Sequence, residues 1–253
     1  MRSQAVKLTI DGLVIWEVKT GEADRIISIL TPNGLVSACA KGSRRPGSRL
    51  CAPTAVYCYS QFELFKGRNM YTVDSAADKL QFVALAADVA ALSLAAYLCE
   101  LLRLLAPVDE DAGDFLSLAL TALHLLNAGG DRRIVKSAFE LKLLSLAGYM
   151  PGLDGCRLCG APGGRAIAFD PLRGDFVCAE CAAGLGLPLN SSGAALAAMR
   201  YIVSAEPKRV FSFRLPDAQL AVLSGLTEKY VEQQLERRPA TLDFYDVIGR
   251  TEK

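Results

Sequence analysis

Four cysteines set in two C-x-x-C pairs constrain this chain more than any other feature of its sequence. Cys156 and Cys159 form the first pair, Cys178 and Cys181 form the second, and 18 residues separate the pairs. Two such turns about 15 to 20 residues apart are typical of a tetrahedral zinc site to which each turn contributes two thiolates. Glycines flank the first pair and suit the tight backbone of such a turn. The sequence therefore predicts one structural Zn²⁺; two disulfides or a redox C-x-x-C are the alternatives.

The start of the chain and its uncharged segments favour a cytoplasmic protein. Residues 1–9 carry Arg2 and Lys7 in a strand-like stretch, without the pattern of a secretory signal peptide. The two longest uncharged segments, 181–199 and 115–130, are broken by glycine and proline or too short for a membrane helix, so we expect no membrane span. Disulfides are rare in the cytoplasm, which supports the zinc interpretation. The four cysteines outside the pairs are expected to be small core residues: Cys39, Cys51, Cys58 and Cys99.

Residues 1–75 have the pattern of a small β-barrel. Short apolar runs are separated by turn signals such as Asp11-Gly12, Pro32-Asn33-Gly34 and Lys66-Gly67. Many short strands within so few residues predict a closed barrel of the OB or SH3-like kind.

The pattern changes to a helical period after residue 75. Residues 76–106 contain neither glycine nor proline, and leucine and valine recur there at helical spacing. Glycine or proline stop signals predict further helices at 114–127, 134–147, 193–204 and 217–237. The expected fold class is α+β, with an N-terminal OB-fold β-barrel and an α-helical domain that carries an inserted four-cysteine zinc ribbon. The expected domains are 1–75 for the barrel, 76–153 and 191–253 for the two parts of the helical domain with its C-terminal tail, and 154–190 for the ribbon.

A basic segment in the N-terminal region is the second feature that indicates function. The net charge of the whole chain is only +1, but residues 1–75 hold ten basic and six acidic residues. Four of those cations lie within Lys41-Gly-Ser-Arg-Arg-Pro-Gly-Ser-Arg49, which we expect to be a mobile loop or a strand end. Such cations can neutralise phosphates while nearby aromatic rings stack on bases. The candidate rings are Tyr57, Tyr59, Phe62 and Phe65; a solvated loop beside core aromatics is the alternative.

The sequence offers little material for catalysis. His124 is the only histidine, so a Ser-His-Asp triad or a two-histidine metal site lacks its residues. Gly42-x4-Gly47 has the spacing that opens a P-loop, but Ser48 and Arg49 follow where Lys and Ser or Thr are required. A zinc ion held by four thiolates has no open position for water. We therefore predict that the protein is not an enzyme.

Six segments, taken in order, resemble the RecO family of bacterial recombination mediators, and the resemblance covers nearly the whole chain. No single segment is specific for the family, but the six segments in this order are. They are Gly21–Leu30, Lys41–Arg49, Tyr97–Leu102, Ala138–Leu144, Gly148–Pro151 leading into the first cysteine pair, and Tyr230–Arg238.

The resemblance implies a non-enzymatic, nucleoid-associated DNA repair protein. Members of the family bind single- and double-stranded DNA and anneal complementary strands. With RecR they help to load RecA onto strands coated by the single-stranded DNA-binding protein, SSB. Carried over to this sequence, the basic OB segment and one further arginine become the predicted DNA-binding residues: Lys41, Arg44, Arg45, Arg49 and Arg68.

In some members of the family, the acidic C-terminal tail of SSB is thought to dock on the helical domain. The candidates for such a contact in this chain are Arg132, Arg133 and Lys136. Two alternatives of another class stay open. One is a protein–protein adaptor or RNA-binding protein with a structural zinc ribbon. The other is a zinc ribbon that contacts nucleic acid itself through Arg157, Arg165 and Arg173.

Overall fold

A computed structural model describes residues 7–67 and 70–251 of the chain. It divides the chain into two compact units, Met1–Ala128 and Gly129–Lys253. Among the described residues, no helix combines the length and the apolar character that a membrane crossing requires.

The first unit is built on a closed five-stranded barrel. Its strands are β1 (Lys7–Thr20), β2 (Asp24–Thr31), β3 (Gly34–Ala40), β4 (Cys58–Lys66) and β5 (Tyr71–Gln81), in the order β1-β2-β3-β5-β4. Neighbouring strands are antiparallel except β3 and β5, which pair in parallel through Ala38 with Tyr71 and Cys39 with Thr72. Five strands closed in this order confirm the predicted OB-fold.

The inside of the barrel is filled by one face of each strand. Val14, Ile27, Ile29, Phe62 and Leu64 are fully buried there, as the period-two alternation of the strands requires. Gly12 permits a close strand crossing, since a Cβ at that position would lie 2.4 Å from Cγ2 of Ile29.

The last strand of the barrel extends beyond its predicted end. β5 pairs with β4 up to Gln81, opposite Cys58, so residues 76–81 are strand and the expected helix does not begin there. A short 3₁₀ helix, Val83–Ala87, follows. Asp88 then caps α1 (Val89–Leu105) by accepting a 2.9 Å hydrogen bond from the N–H of Ala91. Ladder pairing with β4 thus prevails over apolar spacing that suits a helix.

Two helices complete the first unit. α1 and α2 (Gly113–Asn127) both contact β1, and α2 also contacts β2. Leu13 on β1 and Leu30 on β2 are fully buried outside the barrel interior, as this packing requires. The first unit thus includes α1 and α2, which belong to the segment 76–153 that the sequence predicts to be helical.

The second unit combines helices with a small β-ribbon. Its helices are α3 (Arg132–Leu146), α4 (Ala179–Leu185), α5 (Gly193–Ser204), α6 (Asp217–Leu235) and α7 (Ala240–Thr251). α3 packs on α5 and α6. Between α3 and α5 the chain forms β6 (Ala166–Asp170), β7 (Asp175–Cys178) and β8 (Ser191–Ser192), an antiparallel sheet in the order β7-β6-β8. The ribbon is thus inserted between helices, as predicted.

Candidate nucleic-acid interface and metal centre

The predicted basic segment belongs to the connection between β3 and β4, residues 41–57, which we call the basic loop. It forms a succession of turns that is fastened to the β1–β2 turn. The N–H of Arg44 donates to the carbonyl of Ala23 over 2.9 Å, and the N–H of Gly42 donates to Oδ1 of Asp24 over 2.7 Å. Instead of the expected mobile loop or strand end, the structure has a platform hydrogen-bonded to the barrel.

The cations of the basic loop are not neutralised by neighbouring carboxylates. Lys41, Arg45 and Arg49 are exposed and Arg44 is half-buried. Within the described ranges none of the four makes an ion pair, whereas Lys79 on the same barrel lies 2.7 Å from Asp11. A cation without a carboxylate partner is available to bind an external anion. The fifth predicted DNA-binding residue, Arg68, lies outside the described residues.

The aromatic residues near the basic loop divide between the core and the surface. Phe62 is 0% exposed inside the barrel, so of the two alternatives left open for this ring, a core aromatic is the one that holds. Tyr59 and Phe65 are half-buried. Tyr57 has a left-handed backbone (φ 67°), and burial raises the pKa of its hydroxyl. Side chains of a strand alternate between its two faces, which explains why Phe62 lies inside the barrel and is not available to a base.

A groove that the sequence did not predict lies beside β2 and β3 of the barrel. It has a volume of about 460 Å³, and its lining also includes Gly67 and Met70, Arg103 of α1, and Val108 and Asp109 after that helix. At its α1 wall the guanidinium of Arg103 lies 4.0 Å from the ring centre of Trp16. Trp16 is the only tryptophan of the chain, but its partner belongs to a helix distant in sequence. No local pattern could have joined the two.

The four cysteines of the C-x-x-C pairs converge on one point. Their sulfur atoms all lie within 4.8 Å of one another, and those of Cys159 and Cys178 are 3.7 Å apart. Thiolates at the corners of a tetrahedron with metal–sulfur bonds of about 2.3 Å are separated by about 3.8 Å. All four are free thiols. The cluster therefore fits a metal ion.

Local backbone geometry brings the two pairs together. Cys178 ends β7 opposite Ile167 of β6, and its N–H donates to the sulfur of Cys156 over 3.3 Å. The first pair turns back sharply: the N–H of Gly160 donates to the carbonyl of Cys156 over 2.8 Å. A Cβ at Gly155 would lie 2.7 Å from the carbonyl oxygen of Gly160, so only glycine fits there.

The electrostatics of the cluster also indicate a cation. Burial disfavours the Cys156 thiolate, but backbone hydrogen bonds, first among them that from Cys178, lower the pKa of Cys156 to about 6. Hydrogen bonds with the sulfurs of Cys159 and Cys178 raise the pKa of Cys181 to about 12. Four thiolates this close repel one another, so they ionise together only around a positive ion.

An arginine from α5 clamps the ribbon. Nε of Arg200 donates to the carbonyl of Leu153 over 2.7 Å, and Nη2 donates to that of Pro162 over 2.7 Å. These carbonyls precede and follow the first cysteine pair. Arg200 is thus a positioning residue for the metal cluster.

The ribbon's own arginines are mostly engaged within it. Arg157 lies 3.4 Å from Asp175, and Arg173 lies 3.6 Å from Asp170. Arg165 is exposed. These pairs weaken the alternative in which the ribbon itself contacts phosphates.

The three cations predicted to contact a partner have different environments. Lys136 is 2% exposed, and its Nζ lies 2.8 Å from both Glu140 and Glu228. It therefore cannot present its charge to a partner. Arg133, 43% exposed at its side chain, lies 2.8 Å from Asp217. Arg132 is half-buried.

In a comparison with known proteins, the two halves of the chain match the two domain models of one protein family. The family model described as recombination protein O N terminal matches residues 3–80, and the one described as recombination protein O C terminal matches residues 86–243. The protein named DNA repair protein RecO from Acetivibrio thermocellus is 37% identical over 247 residues, which cover 96% of this chain and 98% of the relative. Proteins of the same name from Roseiflexus sp. and Symbiobacterium thermophilum are 32% and 31% identical over 94% of this chain, and 84% and 96% of their own lengths.

Proposed function

Because the chain belongs to the RecO family of DNA repair proteins, we propose that it binds the DNA backbone through its basic loop. The observation that carries this proposal is a set of four cations that make no ion pair with any described residue, on a loop hydrogen-bonded to an OB barrel. Cations on an ordered backbone contact phosphates with less loss of conformational entropy than cations on a disordered loop. Phosphate contacts do not depend on base sequence, so both single-stranded and double-stranded DNA are bound.

The proposed action on DNA is annealing of complementary strands. Two phosphate backbones repel each other, and the cations of the basic loop reduce that repulsion while the base edges stay free to pair. No covalent bond changes, so the protein acts without being an enzyme. We propose further that it works with RecR to load RecA onto strands coated by SSB, in the cytoplasm at the nucleoid; membership of the family supports this proposal. Arg132 and Arg133 remain the candidates for the contact with the SSB tail.

The proposed metal is one structural Zn²⁺. Cys156, Cys159, Cys178 and Cys181 supply four thiolates, the donor set that zinc prefers in closed sites. The ion would cross-link the turn of the first pair to the start of α4. The protein would need this cross-link because a ribbon of this size has too small an apolar core to fold alone.

The basic-loop proposal predicts a specific change in salt dependence. Replacing Lys41, Arg44, Arg45 and Arg49 together by alanine should weaken binding to single strands and to duplex. Since each phosphate contact releases a counterion, the slope of log K against log salt should become shallower by about 3 to 4. Fluorescence anisotropy of labelled oligonucleotides over a range of salt concentrations measures both quantities.

A matched control removes the same charge elsewhere. Four exposed cations of the second unit outside the ribbon serve for it: Lys208, Arg209, Lys229 and Arg237. Their quadruple alanine variant should keep most of the affinity and of the slope. Equal losses in both variants would show that net charge, and not the basic loop, governs binding. RNA included as a third ligand tests the RNA-binding alternative, which a clear preference for RNA would favour.

A further inference from the structure

We propose that the groove beside Trp16 binds one unpaired base of a single strand, with Arg103 as its stacking plane, and so distinguishes single-stranded from duplex DNA. This inference rests on the proposed function, because it assumes that the basic loop brings a strand to the barrel. It concerns the groove residues, however, and the recognition of an unpaired base, whereas the basic loop contacts phosphates.

The groove has the size and the flat wall that a base requires. Its volume of about 460 Å³ lies within the range of about 300 to 1,000 Å³ that is usual for small-molecule pockets. Cζ of Arg103 lies over the ring of Trp16, 4.0 Å from its centre. Arg103 is exposed, and in the described part of the chain it makes no ion pair. Its outer face can therefore accept a planar base, by the stacking and cation–π attraction with which arginine holds unpaired bases.

Polar groups in the groove are placed to contact the edge of such a base. Ser28 and Ser37 face each other across β2 and β3, and Ser28 also pairs with Trp16 of β1. Within the described ranges neither hydroxyl makes a side-chain hydrogen bond, so both can donate or accept. Asp109 adds a carboxylate acceptor for exocyclic amino groups. Donors and acceptors are both present, so the groove tolerates every base.

A phosphate contact at the rim completes the nucleotide. Lys66 ends β4, lines the groove and is exposed. In the part of the chain that the structure describes, its ammonium has no carboxylate partner. Next to it, Tyr71 begins β5 and lines the groove, while its half-buried side chain packs against the barrel core. The groove therefore offers groups for the base and for the phosphate of one nucleotide.

The groove excludes a paired base for a simple geometric reason. A base in a duplex is stacked on both faces, and its pairing edge is occupied, so it reaches the wall formed by Arg103 only after leaving the helix. The phosphates of a duplex still meet the basic loop. When two strands anneal, the base leaves the groove while the phosphate contacts persist. Pairing would therefore weaken the hold on the product and favour its release.

The single tryptophan makes this proposal directly measurable. Since Trp16 is the only tryptophan of the chain, all tryptophan fluorescence comes from the ring that Arg103, a lining residue of the groove, covers. The full-length protein is titrated with an oligothymidylate and with a duplex of the same length at one salt concentration. We expect the oligothymidylate to quench Trp16 and the duplex to leave its emission nearly unchanged. Equal quenching by both ligands would overturn the proposal.

Variants at position 103 separate stacking from charge. Arg103→Ala should lower the affinity for oligothymidylate about tenfold, the size of one base-stacking contact, and leave duplex affinity unchanged. Arg103→Lys keeps the charge but loses the plane, so most of that loss should remain. Lys229→Ala, which removes an exposed charge from the second unit, is the control and should bind like the wild type. Wild-type single-strand affinity in both Arg103 variants would contradict the stacking role.

A mononucleotide distinguishes failure of this inference from failure of the proposed function. Thymidine monophosphate at millimolar concentration should quench Trp16 even in the variant that lacks the four basic-loop cations. If the wild type bound no DNA but the mononucleotide still quenched Trp16, the proposed function would fail and the groove assignment would stand. If DNA bound through the basic loop and neither probe quenched Trp16, the groove assignment would fail alone.

Discussion

Replacing Cys159 by serine should release the metal ion and unfold the ribbon. A serine hydroxyl is not ionised at neutral pH and is a poor ligand for zinc, so the remaining three thiolates hold the ion far more weakly. Metal binding contributes about 10 to 16 kcal/mol to folding in small zinc domains, and much of this is lost with one ligand. Elemental analysis should find one zinc ion per chain in the wild type and little in the variant. Thermal unfolding should begin at a markedly lower temperature.

A matched cysteine variant controls for the loss of a thiol. Cys51 is exposed and not a core residue as the sequence predicts, so Cys51→Ser changes a free thiol outside the cluster and should keep the zinc and the unfolding temperature. The basic loop lies in the first unit, so Cys159→Ser should retain DNA binding at temperatures where the first unit is folded. A full complement of zinc in Cys159→Ser, or wild-type protein purified without chelator and free of metal, would argue against the structural zinc site.

Replacing Lys136 by methionine should destabilise the second unit by about 3 to 5 kcal/mol. The substitution keeps the apolar stem but leaves Glu140, which is 0% exposed, without the cation 2.8 Å away. Burial alone would lower the pKa of Lys136, but attraction by Glu140 and Glu228 outweighs it and holds the pKa above its ordinary value. The charge is therefore complete at neutral pH, and its stabilising effect is lost only as the pH rises through the raised pKa. Urea unfolding at neutral pH gives the free energy.

Two further variants test the cause. Lys136→Met combined with Glu140→Gln should recover much of the loss, because no unpaired charge is left in the core and the amide oxygen can still accept from Thr227, which is 2.6 Å from the carboxylate in the wild type. Arg133→Ala breaks an exposed pair and should cost less than about 1 kcal/mol. A Lys136→Met variant as stable as Arg133→Ala would show that the buried pair is unimportant.

Features encoded by local spacing could be predicted from the sequence. The two C-x-x-C turns place their own cysteines, and the turn signals between short apolar runs divide the barrel into strands. Helices with glycine or proline stop signals, such as α5 at Gly193–Ser204, were predicted with accurate bounds.

Features that depend on contacts between distant segments could not be predicted. Residues 76–81 have helical spacing but continue β5 and pair with β4, a segment distant in sequence. The sequence suggests that Lys136 is a surface cation, but in the fold it pairs with Glu228 of α6, which is distant in sequence. The groove arises only when Arg103 of α1 comes to lie over Trp16 of β1.

The parallel junction that closes the barrel has a thermodynamic consequence. Only two residue pairs join β3 to β5, and one of them includes Tyr71, which also lines the groove. A base held against Tyr71 would bind the closed barrel and not an open one. By mass action, the ligand would then shift the equilibrium between closed and open barrel toward closure. Binding of single-stranded DNA and closure of the barrel would thus be coupled: each would stabilise the other.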